Sequence, residues 1–169
     1  MKKELMNLII RYLILIIVAI PNLLIFYLVF KPLTIYPSFF FLNLLFDPIL
    51  FGSTILINNV SIEIVNACVA GSAYYLLLIL NLSTSKIKNR ISAILFSFLV
   101  FLELNLLRIF ILSLFLISES QWFAITHKFS WYFLSTIFVI GIWFLEVKLF
   151  KIKEIPFYSD IKYIYKNKK

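Results

Sequence analysis

Polar residues in this chain are gathered into short clusters, and several of the stretches between them stay apolar for the length of a membrane-crossing helix. A span needs roughly 20 mostly apolar residues to traverse about 30 Å of hydrocarbon. Tyr12 to Phe30 meets that length between Arg11 and Lys31, Ile91 to Ile117 follows Lys86, Lys88 and Arg90, and Phe129 to Val147 precedes Lys148, Lys151 and Lys153. Val65 to Leu82 is a fourth, shorter candidate. Leu33 to Phe51 is also apolar, but Pro37 and the pair Asp47-Pro48 interrupt it, so it reads as a re-entrant or interfacial segment that does not cross. The period then changes. Ile55, Ile57, Ile62 and Ile64 alternate around Asn58-Asn59, the pattern of a short extended hairpin. The predicted fold is an all-α polytopic membrane protein with about four transmembrane helices, at 12–30, 65–82, 91–117 and 129–147. An external segment over 31–64 carries the re-entrant stretch and the hairpin, a basic tail runs over 148–169, and the whole forms one membrane domain, 1–169.

Composition agrees with that reading. The 169 residues are 63% hydrophobic and only 14% charged, with a mean hydropathy of +1.02, where a water-soluble domain carries about 25% charged residues. The first span is too long for a signal-peptide apolar region and lacks a small-residue cleavage pattern after it, so it is expected to stay as an anchor. The net charge of +8 is a matter of placement. With the N-terminus cytoplasmic and Leu33 to Phe51 not crossing, all of the sixteen cations except Lys31, Arg108 and Lys128 fall on the inner side, as lysine and arginine do in cytoplasmic loops. The charge therefore reads as topology and not as a nucleic-acid footprint. It predicts a multi-pass plasma-membrane protein with both termini cytoplasmic and the tail lying along anionic lipid heads.

The same arithmetic places the reactive side chains. At a rise of about 1.5 Å per residue, Arg108 stands ~27 Å above Arg90, Cys68 stands ~22 Å above the inner loop, and His127 stands ~31 Å above Lys148. The single cysteine, the single histidine and an intramembrane arginine thus share one outer depth. Singly, each has a plain reading: a small packing residue, an interfacial ring, a snorkelling cation. Together they are the components of a cysteine acyl-transfer site, with nucleophile, general base and acid, and oxyanion-stabilising cation. One cysteine and one histidine argue against a four-ligand structural zinc site, and no metal or cofactor is expected. Asn105, three residues before Arg108, shares its helix face and is expected to orient the guanidinium. Glu103 falls elsewhere and reads as a buried carboxylate in need of a partner. Gly71 and Ser72 read as small helix-packing residues, and the nineteen phenylalanines as lipid-facing bulk.

The stretch SIEIVNACVAGSAYY from Ser61 to Tyr75, followed by Asn105-Leu106-Leu107-Arg108-Ile109 and then His127, resembles the exosortase/archaeosortase family of polytopic membrane cysteine transpeptidases, over roughly residues 50–147. The short chain looks like an archaeal-type member. The resemblance implies Cys68 as nucleophile, Arg108 as the invariant arginine and His127 as the third catalytic residue, with Asn105 and Gly71 in support. Arg90 matches a second basic position less closely. Val69 and Ala70 separate Cys68 from Gly71, where family members carry Cys-Ser/Thr-Gly. The resemblance further implies, as substrates, surface proteins with a C-terminal tripartite sorting signal (recognition motif, transmembrane helix, basic cluster), with membrane lipid as an acceptor of the new C-terminus and the active site facing outside. The rival reading is a non-catalytic membrane subunit or assembly factor in which Cys68 only packs. A small transporter is weaker, since no internal repeat is apparent.

Overall fold

The structure, a computed structural model, describes residues 2–166; Met1 and the last three residues of the expected basic tail lie outside the described residues. Helix α1 (Lys2–Ala19) ends at Pro21-Asn22, and α2 (Leu24–Asn43) begins just beyond. Pro21 has no amide to continue the ladder, and Asn22 and Leu23 both take left-handed backbone, with φ of 50° and 61°. The expected single span over 12–30 is therefore two helices. The second runs through Pro32 and Pro37 to Asn43, so most of the segment expected not to cross is part of a helix long and apolar enough to do so. Lys31, expected in an external loop, lies within α2 and is half-buried. Pro32 and Pro37 take amide donors from the carbonyls of Leu28 and Leu33, a loss that helices packed among neighbours tolerate. Separately, the Thr34 hydroxyl donates to the Phe30 carbonyl at 2.7 Å.

Three short strands follow as an antiparallel meander, β1 (Ile49–Phe51), β2 (Thr54–Ile57) and β3 (Val60–Glu63). The alternating hairpin is present, with Ile55 opposite Ile62 and Ile57 opposite Val60, and β1 adds a strand at the end of the stretch read as re-entrant or interfacial. Ile55, Ile57, Ile62 and Ile64 are buried on one face against Ile35 and Leu42 of α2. The fourth expected span, 65–82, is broken into α3 (Asn66–Val69) and α4 (Gly71–Leu82). Helix α5 (Arg90–Ile117) closely matches its expected bounds. The last span begins earlier than expected: α6 (Phe123–Phe129), a π-helical turn (Ser130–Leu134) and α7 (Ser135–Leu149) form one helical run from Phe123 to Leu149. Helix α8 (Tyr158–Lys166) follows. Three runs, Leu24–Asn43, Arg90–Ile117 and Phe123–Leu149, are long and apolar enough to cross a membrane, in keeping with a helical membrane protein.

Tyr74 of α4 sits at the centre of the bundle. Phe30 stacks on it with ring centroids 3.8 Å apart, and Phe26, Phe98 and Phe101 close around it. Phe26, Phe30 and Phe101 are buried, so the phenylalanines are not only lipid-facing bulk. Offset and edge-on ring contacts add about 0.5–1.5 kcal/mol per pair to the area they bury, which favours placing them inside. The helices α2 and α5 run in the same direction, with Phe26 against Phe98 and Phe41 against Phe110. Helix α7 runs opposite to α5: Ser135 meets Arg108 near the sheet end, and Glu146 meets Asn81 near the other end.

That other end is basic. Arg11, Lys86, Lys88, Arg90, Lys153 and Lys162 border one wide cleft of about 1460 Å³ there. Arg11 donates to the carbonyls of Leu82 and Thr84 and to Asp160 of α8 at 2.6 Å, so one buried guanidinium ties α1, the α4–α5 loop and α8 together. The Ser85 hydroxyl donates to Glu154, and this bond, helped by nearby Lys86, holds the Glu154 carboxyl below the ordinary carboxylate range.

Candidate functional site

The site begins with the break between α3 and α4. Ala70 is held in left-handed backbone, φ 57° and ψ 46°, a conformation that costs a residue with a Cβ roughly 1–2 kcal/mol. In an unbroken helix the Cys68 carbonyl would accept from the amide four residues on. With the helix broken it accepts instead from two side chains of α5, Asn105 Nδ2 at 3.0 Å and Arg108 Nη2 at 3.2 Å. Spacing explains the pair: residues three apart on a helix lie side by side, so both reach one oxygen. The expectation that Asn105 lies on the Arg108 face is met, and the atom they share is the Cys68 carbonyl.

Arg108 is 8% exposed and also donates through Nη1 to Ser135 Oγ at 2.8 Å. No carboxylate pairs with it among the described residues, and its Nε is buried without a partner there. A buried guanidinium held by neutral acceptors is costly to keep, because two hydrogen bonds do not replace a counter-charge. Ser130 lies across from it, 3% exposed, its hydroxyl likewise without a partner among the described residues. It is the first residue of the π turn, and such insertions in helices frequently coincide with functional sites.

These groups open onto one cavity of about 370 Å³, lined by Cys68, Arg108, His127, Ser113 and Ser130, by apolar Ile109, Leu112, Leu116, Phe123 and Trp131, and by Ser61–Val65. Cys68 is half-exposed and a free cysteine. His127, just before the expected last span over 129–147, lies within α6. It is exposed, with its ring stacked on Phe123 at a centroid separation of 5.5 Å. The cysteine, the histidine and the α5 arginine singled out from the sequence thus border the same space. Gly71 does not line it. A Cβ at Gly71 would stand 2.8 Å from Tyr27 Cε1, so this glycine permits α2 and α4 to approach just behind the Cys68 turn.

Glu103 is corrected by the structure. It is exposed, on the outward stripe of α5 with Leu95, Leu99, Leu107 and Ile111, because the phase that turns Asn105 and Arg108 inward turns position 103 outward. A carboxylate buried within the helices is Glu146, 0% exposed, which accepts from Asn81 Nδ2 at 3.1 Å through each of its oxygens. Sequence reasoning passed over Glu146, Ser130 and Ser135. Glu146 stands two residues before Lys148 and resembles part of a polar helix end, and isolated serines in an apolar run carry no signal of their own.

Fold and site together define a helical membrane protein with a thiol, an imidazole and a buried guanidinium around one apolar cavity beside a small sheet. No protein-family model, curated protein or solved structure matches the chain significantly. Among the described residues, no group of three or more His, Cys, Asp or Glu side chains is gathered in a way that could hold a metal ion.

Proposed function

We propose that this protein is a membrane-embedded cysteine transpeptidase or protease that cleaves the C-terminal sorting signal of surface proteins at the outer face of the plasma membrane. The observation that carries the reading is the shared cavity of Cys68, Arg108 and His127. In the proposed reaction the Cys68 thiol transfers its proton to His127 and attacks the scissile carbonyl. Arg108 steadies the resulting oxyanion, and His127 returns the proton to the departing amine as the carbon–nitrogen bond breaks, leaving a thioester. A nucleophile, such as a lipid head group or water, then displaces the thiol. Asn105 acts as a positioning residue through the Cys68 carbonyl. The resemblance to the exosortase/archaeosortase family supports the substrate class, and the gathering of cations around the far cleft supports cytoplasmic termini with the cavity outside.

The test co-expresses the protein with a secreted substrate ending in a motif, an apolar helix and a basic tail, taken from the same genome. Cys68→Ser and Cys68→Ala are expected to leave the C-terminal helix attached, with a membrane-impermeant maleimide labelling Cys68 of the unaltered protein from outside. Normal processing by either variant would refute the enzyme. One observation favours the rival reading of a non-catalytic subunit: Glu103 stands midway along α5 on its outward face, where a lone carboxylate calls for a partner helix. Co-purification of a second membrane protein that is lost in Glu103→Leu, with processing intact in Cys68→Ser, is the outcome that reading requires.

A further inference from the structure

Three consecutive residues of β3, Ser61 to Glu63, border the Cys68 cavity, followed by Ile64 and Val65 just beyond the strand. A strand that presented one face would contribute every second residue, so the cavity runs along the backbone edge of β3. That edge is open, since the sheet order is β1-β2-β3 and β3 has a partner on one side only. The direction of its backbone groups follows from the register. The Ile64 amide donates to the Ser53 carbonyl at 2.9 Å, and bonded and non-bonded pairs alternate along an antiparallel ladder. The pairs 55–62 and 57–60 are then bonded, while 54–63 and 56–61 are not. Ile62 and Val60 spend their N–H and C=O groups on β2; Ser61 and Glu63 turn theirs to the open edge. Both residues are exposed, and their backbone groups find no partner among the described residues. Exposed strand edges are templates for pairing with another chain, and this one carries no proline and no bulge to block it.

We propose that the open edge of β3 is a strand-addition site for the substrate polypeptide. The substrate enters as an extended chain, pairs its backbone with the N–H and C=O groups of Ser61 and Glu63, and is thereby led toward Cys68, five residues further on. Ser61 and Glu63 are ~7 Å apart along the strand, so the paired segment is about three to four residues long. Main-chain pairing makes recognition tolerant of sequence, and the apolar wall of Ile109, Leu112 and Trp131 selects apolar side chains at alternate positions. The identity of the strand as a substrate rests on the transpeptidase reading; the existence of the edge site does not.

The probe is acetyl-Val-Ala-Val chloromethyl ketone, which alkylates a thiol with loss of chloride, compared with chloroacetamide, which has no extended backbone. Cys68 is the chain's one cysteine, so total alkylation reports this site. The peptide is expected to react faster than chloroacetamide in proportion to its backbone pairing. Ser61→Pro and Glu63→Pro each remove one outward N–H and leave the bonds to β2, an arrangement in which an edge strand accepts proline. Each is expected to slow the peptide about tenfold, the worth of one or two lost hydrogen bonds, with chloroacetamide unchanged. Glu63→Gln should have no such effect. An N-methylated form of the same peptide should lose its advantage on the unaltered protein, which keeps the test intact if a proline variant misfolds. Equal rates for the methylated and unmethylated peptides would overturn the proposal, as would proline variants that change the oligomeric state and not the peptide rate, since the edge would then pair two copies. Failure of the catalytic reading shows separately, as processing by Cys68→Ser with the alkylation pattern unaltered.

Discussion

Arg108→Met asks whether the α5 guanidinium is there for stability or for chemistry. The substitution removes two hydrogen bonds, to the Cys68 carbonyl at 3.2 Å and to Ser135 Oγ at 2.8 Å. Bonds from a charged donor contribute about 1.5–3 kcal/mol each, so roughly 3–6 kcal/mol is lost. The Cys68 carbonyl keeps its bond from Asn105, and only the Ser135 hydroxyl is left without this donor. Against that loss stands the desolvation of a guanidinium with no carboxylate partner among the described residues, a penalty of several kcal/mol that methionine does not incur. The two terms nearly cancel, and the net change is expected within about 2 kcal/mol of zero.

Asn105→Ala makes the contrast. It loses a neutral bond worth about 1 kcal/mol and leaves a small void, for a destabilisation of about 2–3 kcal/mol, more than the arginine variant despite the smaller group removed. Unfolding in mixed micelles by rising detergent fraction, followed by far-ultraviolet circular dichroism, ranks the two variants. Processing of a tripartite substrate is expected to vanish in Arg108→Met and to fall in part in Asn105→Ala. Should Arg108→Met lose more than about 4 kcal/mol, the arginine is a structural tie that outweighs its desolvation, and its burial is no evidence for an oxyanion role.

The Asn81–Glu146 pair should behave as a unit. Asn81→Leu takes from the buried Glu146 its Asn81 donor, while Glu146→Leu leaves Asn81 Nδ2 its bond to the Leu77 carbonyl at 3.1 Å, so the first is expected to cost about 2–3 kcal/mol and the second less, with the double variant below their sum in a double-mutant cycle of detergent unfolding. Gly71→Ala drives a methyl to within 2.8 Å of the Tyr27 ring and is expected to cost about 1–3 kcal/mol, with Tyr27→Leu in the same chain restoring most of it. Glu154 supplies a pH dependence. Its folded carboxyl is held below the usual value of about 4.3, so its bond to Ser85 stabilises the fold above that pH and is lost as the pH falls through the depressed folded value. Proteolysis of the α7–α8 linker should therefore rise on acidification in the native chain, and Glu154→Gln should cleave at the acid rate at every pH. A native rate flat across that range would contradict the assignment.

What could be read from the sequence divides along the helix axis and around it. Height depends only on rise per residue, which packing hardly alters, so counting from the basic clusters brought Cys68, Arg108 and His127 to the level at which they border one cavity. Even the early start of the last helix at Phe123 did not disturb this, because position was counted back from Lys148. Angle around the axis depends on which face finds a neighbour. Asn105 and Glu103 are both measured against Arg108 on one uninterrupted helix, so an inward Arg108 carries Asn105 inward and turns Glu103 out; reading Glu103 as buried overlooked that phase. Two helical breaks fall inside expected spans. Pro21-Asn22 is visible in the sequence in the middle of the first span, where the length of the apolar run outweighed it, and a left-handed residue there and at Ala70 ends a helix. At Ala70 the amino acid offers no warning, because the strain is imposed by packing. Asn105 and Arg108 hold the freed Cys68 carbonyl, and Tyr27 against Gly71 fixes the start of α4. The strained alanine is thus a consequence of where the cysteine has to sit. Replacing Ala70 by glycine should relieve about 1 kcal/mol of backbone strain, and detergent unfolding should find the variant more stable than the native chain; a less stable variant would contradict the strain at Ala70.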